Sequence, residues 1–384
     1  MGGTQSVDFG VALDKASYCG GETINGYVQV KVLTKDAKMP EHMSVSLVGK
    51  AHTAVRYTKT TGTGKNKKRK RKTAYQTENL LNLVAKVGNI DESQLVEGAQ
   101  LQCPFSFEIP ANALSSMKYG SGSNRGEIKY QLSIFSKVPG KLYGVSTTCL
   151  HSVAVDIVAA PPQPTANPPS VEDFVSVTRC CCIPAGTMEL AASSSVSAIT
   201  AGDQPVVSFS VDNKSSQNVS YIDVSVTQIV KVYAKGHQHS VTKTITSSRM
   251  AGVARGAAFG FEKSSSDGPR IATLQVPDFT YSSTDSPTVK VICFIKVKAK
   301  TESAFVRDPE VSIPIKTYRQ SVTVAEVLAD EADSGGEDDP DSDDEGGGDK
   351  AEDLVATVVS IEYAPNPEFV VQSIEAPIQA TVIS

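Results

Sequence analysis

The sequence lacks the marks of a membrane-spanning or secreted protein. No run of about 18 uncharged apolar residues occurs among its 384 residues, so no transmembrane helix is expected. The first residues, MGGTQSVDFGVALDK, contain neither the basic nor the apolar stretch of a secretory signal, which predicts a cytoplasmic protein. The seven cysteines include no CxxC pair, which indicates buried reduced thiols rather than a disulfide framework or a zinc ribbon.

Motifs for catalysis are also missing. No GxSxG pentapeptide is present, so a nucleophile elbow is excluded. The stretch Gly62-Thr63-Gly64-Lys65 fails as a phosphate loop, because Lys59 replaces the first glycine and Asn66 replaces the magnesium-binding Ser or Thr. His237 and His239 have no third ligand nearby, which favours a hairpin tip over a metal site. We therefore expect no enzymatic activity, no cofactor and no metal.

Charge is distributed unevenly along the chain. The formal net charge is -5, but residues 326–353 hold 14 acidic side chains and one lysine, a local net of -13. Lys65 to Lys72, KNKKRKRK, supplies +7 in eight residues, and the rest of the chain therefore sums to +1. The sequence thus describes a near-neutral body that carries two tracts of opposite charge.

Apolar and polar residues alternate along most of the first 320 residues. This period of two is typical of strands that bury one face, and polar turn clusters separate the alternating runs. Examples are the segments 28–32, 128–134, 207–211 and 289–297. The pattern predicts an all-β fold of two immunoglobulin-like antiparallel β-sandwiches in tandem, followed by a disordered acidic C-terminal tail.

A weak internal repeat supports two copies of one domain type. Gly21-Glu22 precedes a VSLVG strand as Gly202-Asp203 precedes VSVTQ, and FEIP at 107–110 corresponds to LQVP at 274–277. A segment with five prolines in twelve residues, 159–170, separates the copies and indicates a semi-rigid linker. We therefore predict a first domain at 7–160 with a basic loop insertion at 62–72, a linker at 161–170, a second domain at 171–322 and a tail at 323–384. The last thirty residues regain apolar character, so one option is a short segment that docks onto a sandwich edge.

Several segments, taken in order, resemble the arrestin family. In the first domain these are GGETINGYV at 20–28, VSLVGKA at 45–51, CPFSFEIP at 103–110 and GEIKYQLSIFSKV at 126–138. In the second they are VTRCCCIPAGTMELAA at 177–192, TAGDQPVVSFSVDNKSS at 200–216, IDVSVTQIVKVYA at 222–234 and VICFIKVKA at 291–299. The resemblance is strongest to the α-arrestin (arrestin-domain-containing) branch and more distant to the retromer subunit with an arrestin-like fold.

The resemblance implies an adaptor that binds cytoplasmic parts of membrane proteins and links them to endocytic, sorting or ubiquitylation machinery. Its expected place is the cytoplasm, peripheral at the plasma membrane or endosomes. The sequence departs from the α-arrestin pattern because it has no PPxY motif for WW-domain ubiquitin ligases. Two alternatives stay open, namely a structural subunit of a retromer-like trafficking coat and a nuclear scaffold imported through its basic loop.

Two candidate sites involve membranes. Gly2 and Ser6 fit the N-myristoylation pattern, but one myristoyl chain gives only marginal membrane binding. The basic segment would supply a second membrane-binding signal by attraction to an anionic leaflet. Its other interpretations are a nuclear import signal and a solvated hairpin tip. Interleaved aromatics for base stacking are absent, so no nucleic acid is expected. The basic candidates are Lys65, Lys67, Lys68, Arg69, Lys70, Arg71 and Lys72.

The tail contributes three further hypotheses. Ser334 and Ser342 lie among acidic residues, which makes them candidates for an acidophilic kinase. The acidic tract itself could fold back on the basic segment as an autoinhibitory contact, with a plain solubilising tail as the alternative. Asn366, Pro367 and Phe369 form an NPxF sequence, which resembles endocytic sorting ligands.

Overall fold

The structure is a computed structural model of the 384-residue chain. It describes residues 6–38, 43–62, 66–87, 90, 92–139, 145–161, 169–179, 183–261, 267–277, 281–302, 308–320 and 381–382.

The first domain is built from strands, as the alternating pattern predicts, and nine of them lie in the part of the chain that the structure describes. A single turn of 3-10 helix, Glu92–Gln94, interrupts them. The strands are β1 (Val7–Leu13), β2 (Ser17–Cys19), β3 (Thr23–Val32), β4 (Met43–Thr61), β5 (Lys68–Lys86), β6 (Gln100–Glu108), β7 (Met117–Ser121), β8 (Asn124–Pro139) and β9 (Val145–Val158).

These strands form two sheets that face each other. One has the order β1-β3-β6, and the other has the order β2-β9-β8-β4-β5 with β7 paired to β8. The alternation in β3 places every second residue inside, including Ile24, Val28 and Val30, which are at most 1% exposed. They pack in one core with Phe107 and Tyr130 from the other strands. Burial of these apolar side chains is the main force holding the two sheets together.

The second domain repeats this architecture, with eleven strands among its described residues. The strands are β10 (Ser170–Arg179), β11 (Ile183–Ser194), β12 (Ala198–Thr200), β13 (Val206–Asn213), β14 (Val219–Ala234), β15 (His237–Val253), β16 (Ala258–Phe259), β17 (Arg270–Thr273), β18 (Thr284–Asp285), β19 (Val289–Thr301) and β20 (Glu310–Tyr318). One sheet has the order β10-β11-β13-β16, with β17 also paired to β13, and the other has the order β12-β20-β19-β14-β15, with β18 paired to β19. Phe209, Leu190 and Ile313 are among the buried residues of this second core.

The internal repeat is visible in individual hydrogen bonds. In the first domain the Gly21 amide donates to Ile109 and the Ile109 amide donates to Glu22, while Gly202 and Val276 make the corresponding bonds in the second. The two glycines have φ of +86° and +90°, a region that glycine adopts without steric cost. The same turn therefore closes the same corner of both sandwiches.

The prediction of two tandem β-sandwiches is confirmed, with one addition. Each sandwich includes a short parallel pair, β2 with β9 and β12 with β20, beside its antiparallel pairs. Both pairs form because the repeated turn brings a three-residue strand alongside the last strand of its own domain.

One strand of the tail is described. Thr381 and Val382 form β21 (Thr381–Val382), which pairs antiparallel with Val84 and Leu83 on the outer edge of β5. This pairing matches the option of a C-terminal segment docking on a sandwich edge. The acidic tract, like the rest of the predicted tail from residue 323, lies outside the described residues.

Candidate binding surface on the first domain

The basic segment belongs to a long hairpin, formed by β4 and β5. Strands β4 and β5 each contain 19 residues, and their pairing continues to Thr61 opposite Lys68. The expectation of a basic loop at 62–72 is therefore corrected, because Lys68 to Lys72 lie in a strand. Opposite them lies the segment Thr58-Lys59-Thr60-Thr61, whose three β-branched threonines favour a strand and which pairs with them in the antiparallel register. Lys67 directly precedes β5, and Lys65 lies outside the described residues.

Strand alternation divides the basic residues between two faces. Arg69 and Arg71 share a face with Tyr75 and Thr77, because successive side chains point to opposite sides of a strand. Lys68, Lys70 and Lys72 share the other face with Ala74, Gln76 and Glu78. The two faces have different surroundings, since one meets the second domain and the other borders a surface cavity.

The second domain contacts the hairpin through hydrogen bonds. Thr53 Oγ1 donates to the Tyr233 carbonyl at 2.6 Å, and the Lys235 amide donates to Gln76 Oε1 at 2.8 Å. One strand further on, Thr288 Oγ1 donates to Glu78 Oε2 at 2.7 Å. The end of β14, the turn that follows it and the residue before β19 thus contact both strands of the hairpin.

Ring stacking and apolar packing also connect the hairpin to the second domain. Tyr57 of β4 stacks on His237 with ring centroids 3.8 Å apart, and His237 directly follows the two-residue turn at Lys235 and Gly236. Both turn residues have positive φ, as the mirror-image turn that suits a two-residue hairpin requires. Below the rings lies a small apolar cluster that consists of Val55, Ala74, Val232 and Ala234. The hairpin base is therefore part of the interface between the domains.

A cavity of about 280 Å³ opens on the face that carries Arg69 and Arg71. His52 of β4 is part of its lining, with its Nδ1 3.0 Å from Thr77 Oγ1. Tyr75 is 58% exposed at the rim. The other side chains on this face of the lining are Arg125, Glu127 and Lys129 of β8.

The electrostatic environment of the cavity is positive. Lys50 of β4 stands directly opposite Lys129 of β8 in the strand register, an arrangement that destabilises a sheet when nothing neutralises it. Burial lowers the pKa of His52, and Lys129, Lys50 and Arg125 lower it further, while Glu127 acts in the opposite direction. Among the described residues, Lys50, Arg125 and Lys129 take part in no ion pair. The cavity is suited to an anionic group.

A second cavity lies between the domains. It has a volume of about 250 Å³ and is lined by Cys19 and Val158 from the first domain and by Thr200, Tyr318 and Arg319 from the second. Thr200 and Cys19 are equivalent positions of the repeated turn, so the cavity lies where the two copies of that turn meet. Its lining contains no group that nucleophilic catalysis would use in an activated form, because burial raises the pKa of the Cys19 thiol.

Two family models match the chain. The N-terminal domain of arrestin (or S-antigen) matches residues 7–155, and the C-terminal domain of arrestin (or S-antigen) matches residues 184–319. The chain belongs to the arrestin family. No curated protein matches it. The two matches place one arrestin domain on each sandwich, and the finer assignment to the α-arrestin branch stays a prediction.

Membership of the arrestin family supports a general adaptor role. Proteins of this family are non-enzymatic adaptors, which generally bind the tails of membrane receptors and trafficking proteins. Among the described residues, no three histidine, cysteine or acidic side chains are arranged to hold a metal ion. Within the same part of the chain, no helix is long and apolar enough to cross a membrane.

The structure does not bring all the predicted site residues together. It places Lys67 to Lys72 on the hairpin, but Gly2, Ser334, Ser342 and the NPxF residues Asn366, Pro367 and Phe369 lie outside the described residues. The structure therefore does not test the predictions for these residues.

Sequence reasoning missed the residues of the cavity. His52, Lys50 and Lys129 come from two strands that are far apart in the sequence, and only the register of β4 with β8 brings them side by side. The one available signal was the alternation of polar or charged residues with others in GKAH, residues 49–52, and in GEIKYQL, which indicates an outward face without identifying its neighbours.

Proposed function

We propose that this arrestin-family protein is an adaptor that works at the cytoplasmic face of membranes. In this role it binds cytoplasmic parts of membrane proteins and links them to endocytic, sorting or ubiquitylation machinery. The observation that carries the proposal is the cationic β4–β5 hairpin, which belongs to the first of two arrestin domains and is held at its base by the second. Its basic end is exposed, and its base is anchored to both sandwiches.

The hairpin supplies a physical reason for location at a membrane. Each basic residue close to an anionic leaflet contributes about 1 kcal/mol, so seven cations between Lys65 and Lys72 exceed what one acyl chain needs as a second signal. The contacts with the second domain reduce the freedom of the hairpin base, which lowers the entropy lost on binding.

Two motifs outside the described residues fit the same role. Myristoylation of Gly2 would provide the first membrane signal, and the Asn366-Pro367-Glu368-Phe369 sequence would provide a ligand for endocytic adaptors. Mass spectrometry of the chain purified from cells tests the first of these. An unmodified N-terminus that still begins with Gly2 would leave the hairpin as the sole membrane signal.

Proximity labelling in cells tests the adaptor role. The labelling enzyme is fused to the C-terminus so that Gly2 stays free. We expect transient receptor or transporter neighbours together with endocytic adaptors or ubiquitin ligases. A constant set of coat subunits would contradict this and support a structural subunit of a retromer-like coat, and a nuclear neighbourhood would support a scaffold imported through its basic segment.

A further inference from the structure

A threonine directly follows the cations of β5, and we propose that this residue, Thr73, is a phosphorylation site for a basophilic protein kinase. The five residues before it are all basic and exposed, namely Lys68, Arg69, Lys70, Arg71 and Lys72. The site itself is independent of the proposed function, whereas its effect on membrane binding rests on that function.

Thr73 lies at the boundary between the exposed end and the anchored base of the hairpin. Every described residue from Thr58 to Lys72 is exposed, whereas Ala74 is buried in the apolar cluster that joins the hairpin to the second domain. Within the described residues, the outer edge of β5 is paired only by the two residues of β21. The hairpin end can therefore open without disturbing the cluster around Ala74, which makes Thr73 accessible to an enzyme that binds its substrate as an extended chain.

The charges that precede Thr73 fit the substrate groove of a basophilic kinase. Acidic residues in such a groove pair with basic side chains two and three positions before the acceptor hydroxyl. Arg71 and Lys70 occupy these two positions. The threonines at the end of β4, which are Thr58, Thr60 and Thr61, lack a cation at one or both of them. The sequence pattern therefore selects Thr73 among the threonines of the hairpin end.

The reaction transfers the γ-phosphoryl group of ATP to Thr73 Oγ1. The new O–P bond forms as the bond to the β-phosphate oxygen breaks, ADP leaves, and the hydroxyl proton passes to the catalytic base of the kinase. The phosphate adds about -1.5 to -2 charges at pH 7. The +7 that the segment from Lys65 to Lys72 carries is therefore reduced to about +5 by one modification.

Two arginines are placed to hold this phosphate. Arg56 of β4 is directly opposite Thr73 in the register, and Arg71 lies two residues earlier on the same face of β5. Directly opposite residues have β carbons about 5 Å apart, which is within reach of a guanidinium group. Among the described residues, neither arginine takes part in an ion pair. Guanidinium groups bind phosphate oxygens bidentately, so the modified residue would neutralise cations of the hairpin rather than extend into solvent.

Phosphorylation of Thr73 would act as an electrostatic switch on membrane binding. The proposed function assigns the cations of the hairpin end to an anionic leaflet, and each of them contributes separately to that attraction. A phosphate that cancels two cations should weaken binding by about 30-fold. The adaptor would then leave the membrane while its fold and its contacts between the domains persist.

A kinase reaction tests the site directly. The full chain is incubated with ATP and the catalytic subunit of cAMP-dependent protein kinase, which is a basophilic enzyme. Quantitative mass spectrometry then compares Thr73 with Thr77, which lies on the same face of the same strand but is bonded to His52. We expect phosphate to appear on Thr73 at least tenfold faster. Equal rates at the two residues, or no phosphate on Thr73, would overturn the proposal.

Two charge variants test whether the preceding cations direct the kinase. In Lys70→Gln/Arg71→Gln the rate at Thr73 should decrease at least tenfold. The matched control is Lys31→Gln/Lys35→Gln, which removes two exposed cations at and just after β3 and should keep the original rate. Equal loss in both variants would contradict recognition of the segment before Thr73.

Phosphorus NMR of the phosphorylated chain tests the arginine contact. Hydrogen bonds from Arg56 and Arg71 favour the doubly charged phosphate, so its second pKa should be lower in the folded chain than in the same chain unfolded in urea. Arg56→Gln should reduce this difference. The same pKa in folded and unfolded chains would show that the arginines do not hold the phosphate.

A vesicle experiment separates this proposal from the proposed function. The phosphorylated and unmodified chains are compared on vesicles of phosphatidylcholine with phosphatidylserine, with kinase-treated Thr73→Val as the control. We expect about 30-fold weaker binding after phosphorylation and no change in the control. Phosphate on Thr73 without vesicle binding by either form would support the site and contradict the membrane role. Vesicle binding by a chain that the kinase leaves unmodified at Thr73 would do the reverse.

Discussion

Asp156 and Arg319 connect the last strands of the two domains. Arg319 Nη2 lies 2.5 Å from Oδ1 and 2.6 Å from Oδ2 of Asp156, so one nitrogen bridges both oxygens of the carboxylate. Asp156 belongs to β9, and Arg319 directly follows β20. This ion pair therefore links the two domains at a second place, in addition to the contacts between the β4–β5 hairpin and the second domain.

Removal of this carboxylate should loosen the interface. In Asp156→Ala the Arg319 guanidinium keeps its partly buried position, where its Nε makes no hydrogen bond with any described residue, and loses its one ionic partner. We expect a loss of about 1–2 kcal/mol in unfolding free energy, reduced because both side chains are between a quarter and a third exposed. Urea unfolding of Asp156→Ala, Arg319→Ala and the double variant measures the coupling. Strictly additive losses would contradict a direct interaction.

Close packing at Gly126 predicts a second sensitive position in the interface. A β carbon added there would lie 2.6 Å from Val232 Cγ1 across the domain boundary, so one side must move. We expect Gly126→Ala to cost about 1–3 kcal/mol and to increase protease cleavage in the 161–170 linker. Gly268→Ala is the matched control, since nothing lies within 4 Å of its added carbon. If the two variants have the same midpoint of thermal unfolding, the strands accommodate the added carbon at Gly126 without loss of stability, which would contradict the prediction.

The repeated turn gives a paired prediction for the two domains. Gly21 and Gly202 have nearly the same positive φ, and alanine in that region costs about 1 kcal/mol or more. Gly21→Ala and Gly202→Ala should therefore lower stability by similar amounts, and asparagine at either position should cost less. Differential scanning calorimetry measures both pairs. A cost confined to one domain would mean that the turns are equivalent in geometry but not in energy.

The repeated turn also shows why the fold was accessible from sequence. Alternation is a local property, so strands such as β3 and β19 and the Gly21 and Gly202 corners could be recognised without knowing their partners. The registers were not accessible in this way. Many strand registers and domain arrangements are compatible with the same alternating pattern. Lys50 lies opposite Lys129, and the Lys235 amide bonds Gln76, only in the one that the folded protein adopts. The basic strand was predicted as a loop because polarity was given more weight than the threonines opposite it.

His52 should make stability depend on pH. Burial and three neighbouring cations hold the folded-state pKa below the ordinary value of 6.5, so the unfolded state takes up more protons as the pH falls through this value. Stability should therefore decrease from pH 7.5 to pH 5.5, and His52→Gln should decrease less. The midpoint of urea unfolding at each pH measures the difference. His151 also has a lowered pKa, so His151→Gln serves as a comparison at a site outside the cavity lining. An identical slope for wild type and His52→Gln would contradict the positive environment of the cavity.

The two faces of β5 give the sharpest test of how its cations are used. Arg69→Gln/Arg71→Gln and Lys70→Gln/Lys72→Gln each remove two charges from the same strand, but only the first pair shares a face with His52 and Lys129. A membrane that approaches the hairpin end attracts all four cations, so both double variants should lose about 2 kcal/mol, or about 30-fold, in binding to anionic vesicles. The two faces of β5 should therefore contribute equally to membrane binding. A loss confined to one double variant would contradict this and would mean that the membrane contacts one face of β5 rather than the end of the hairpin.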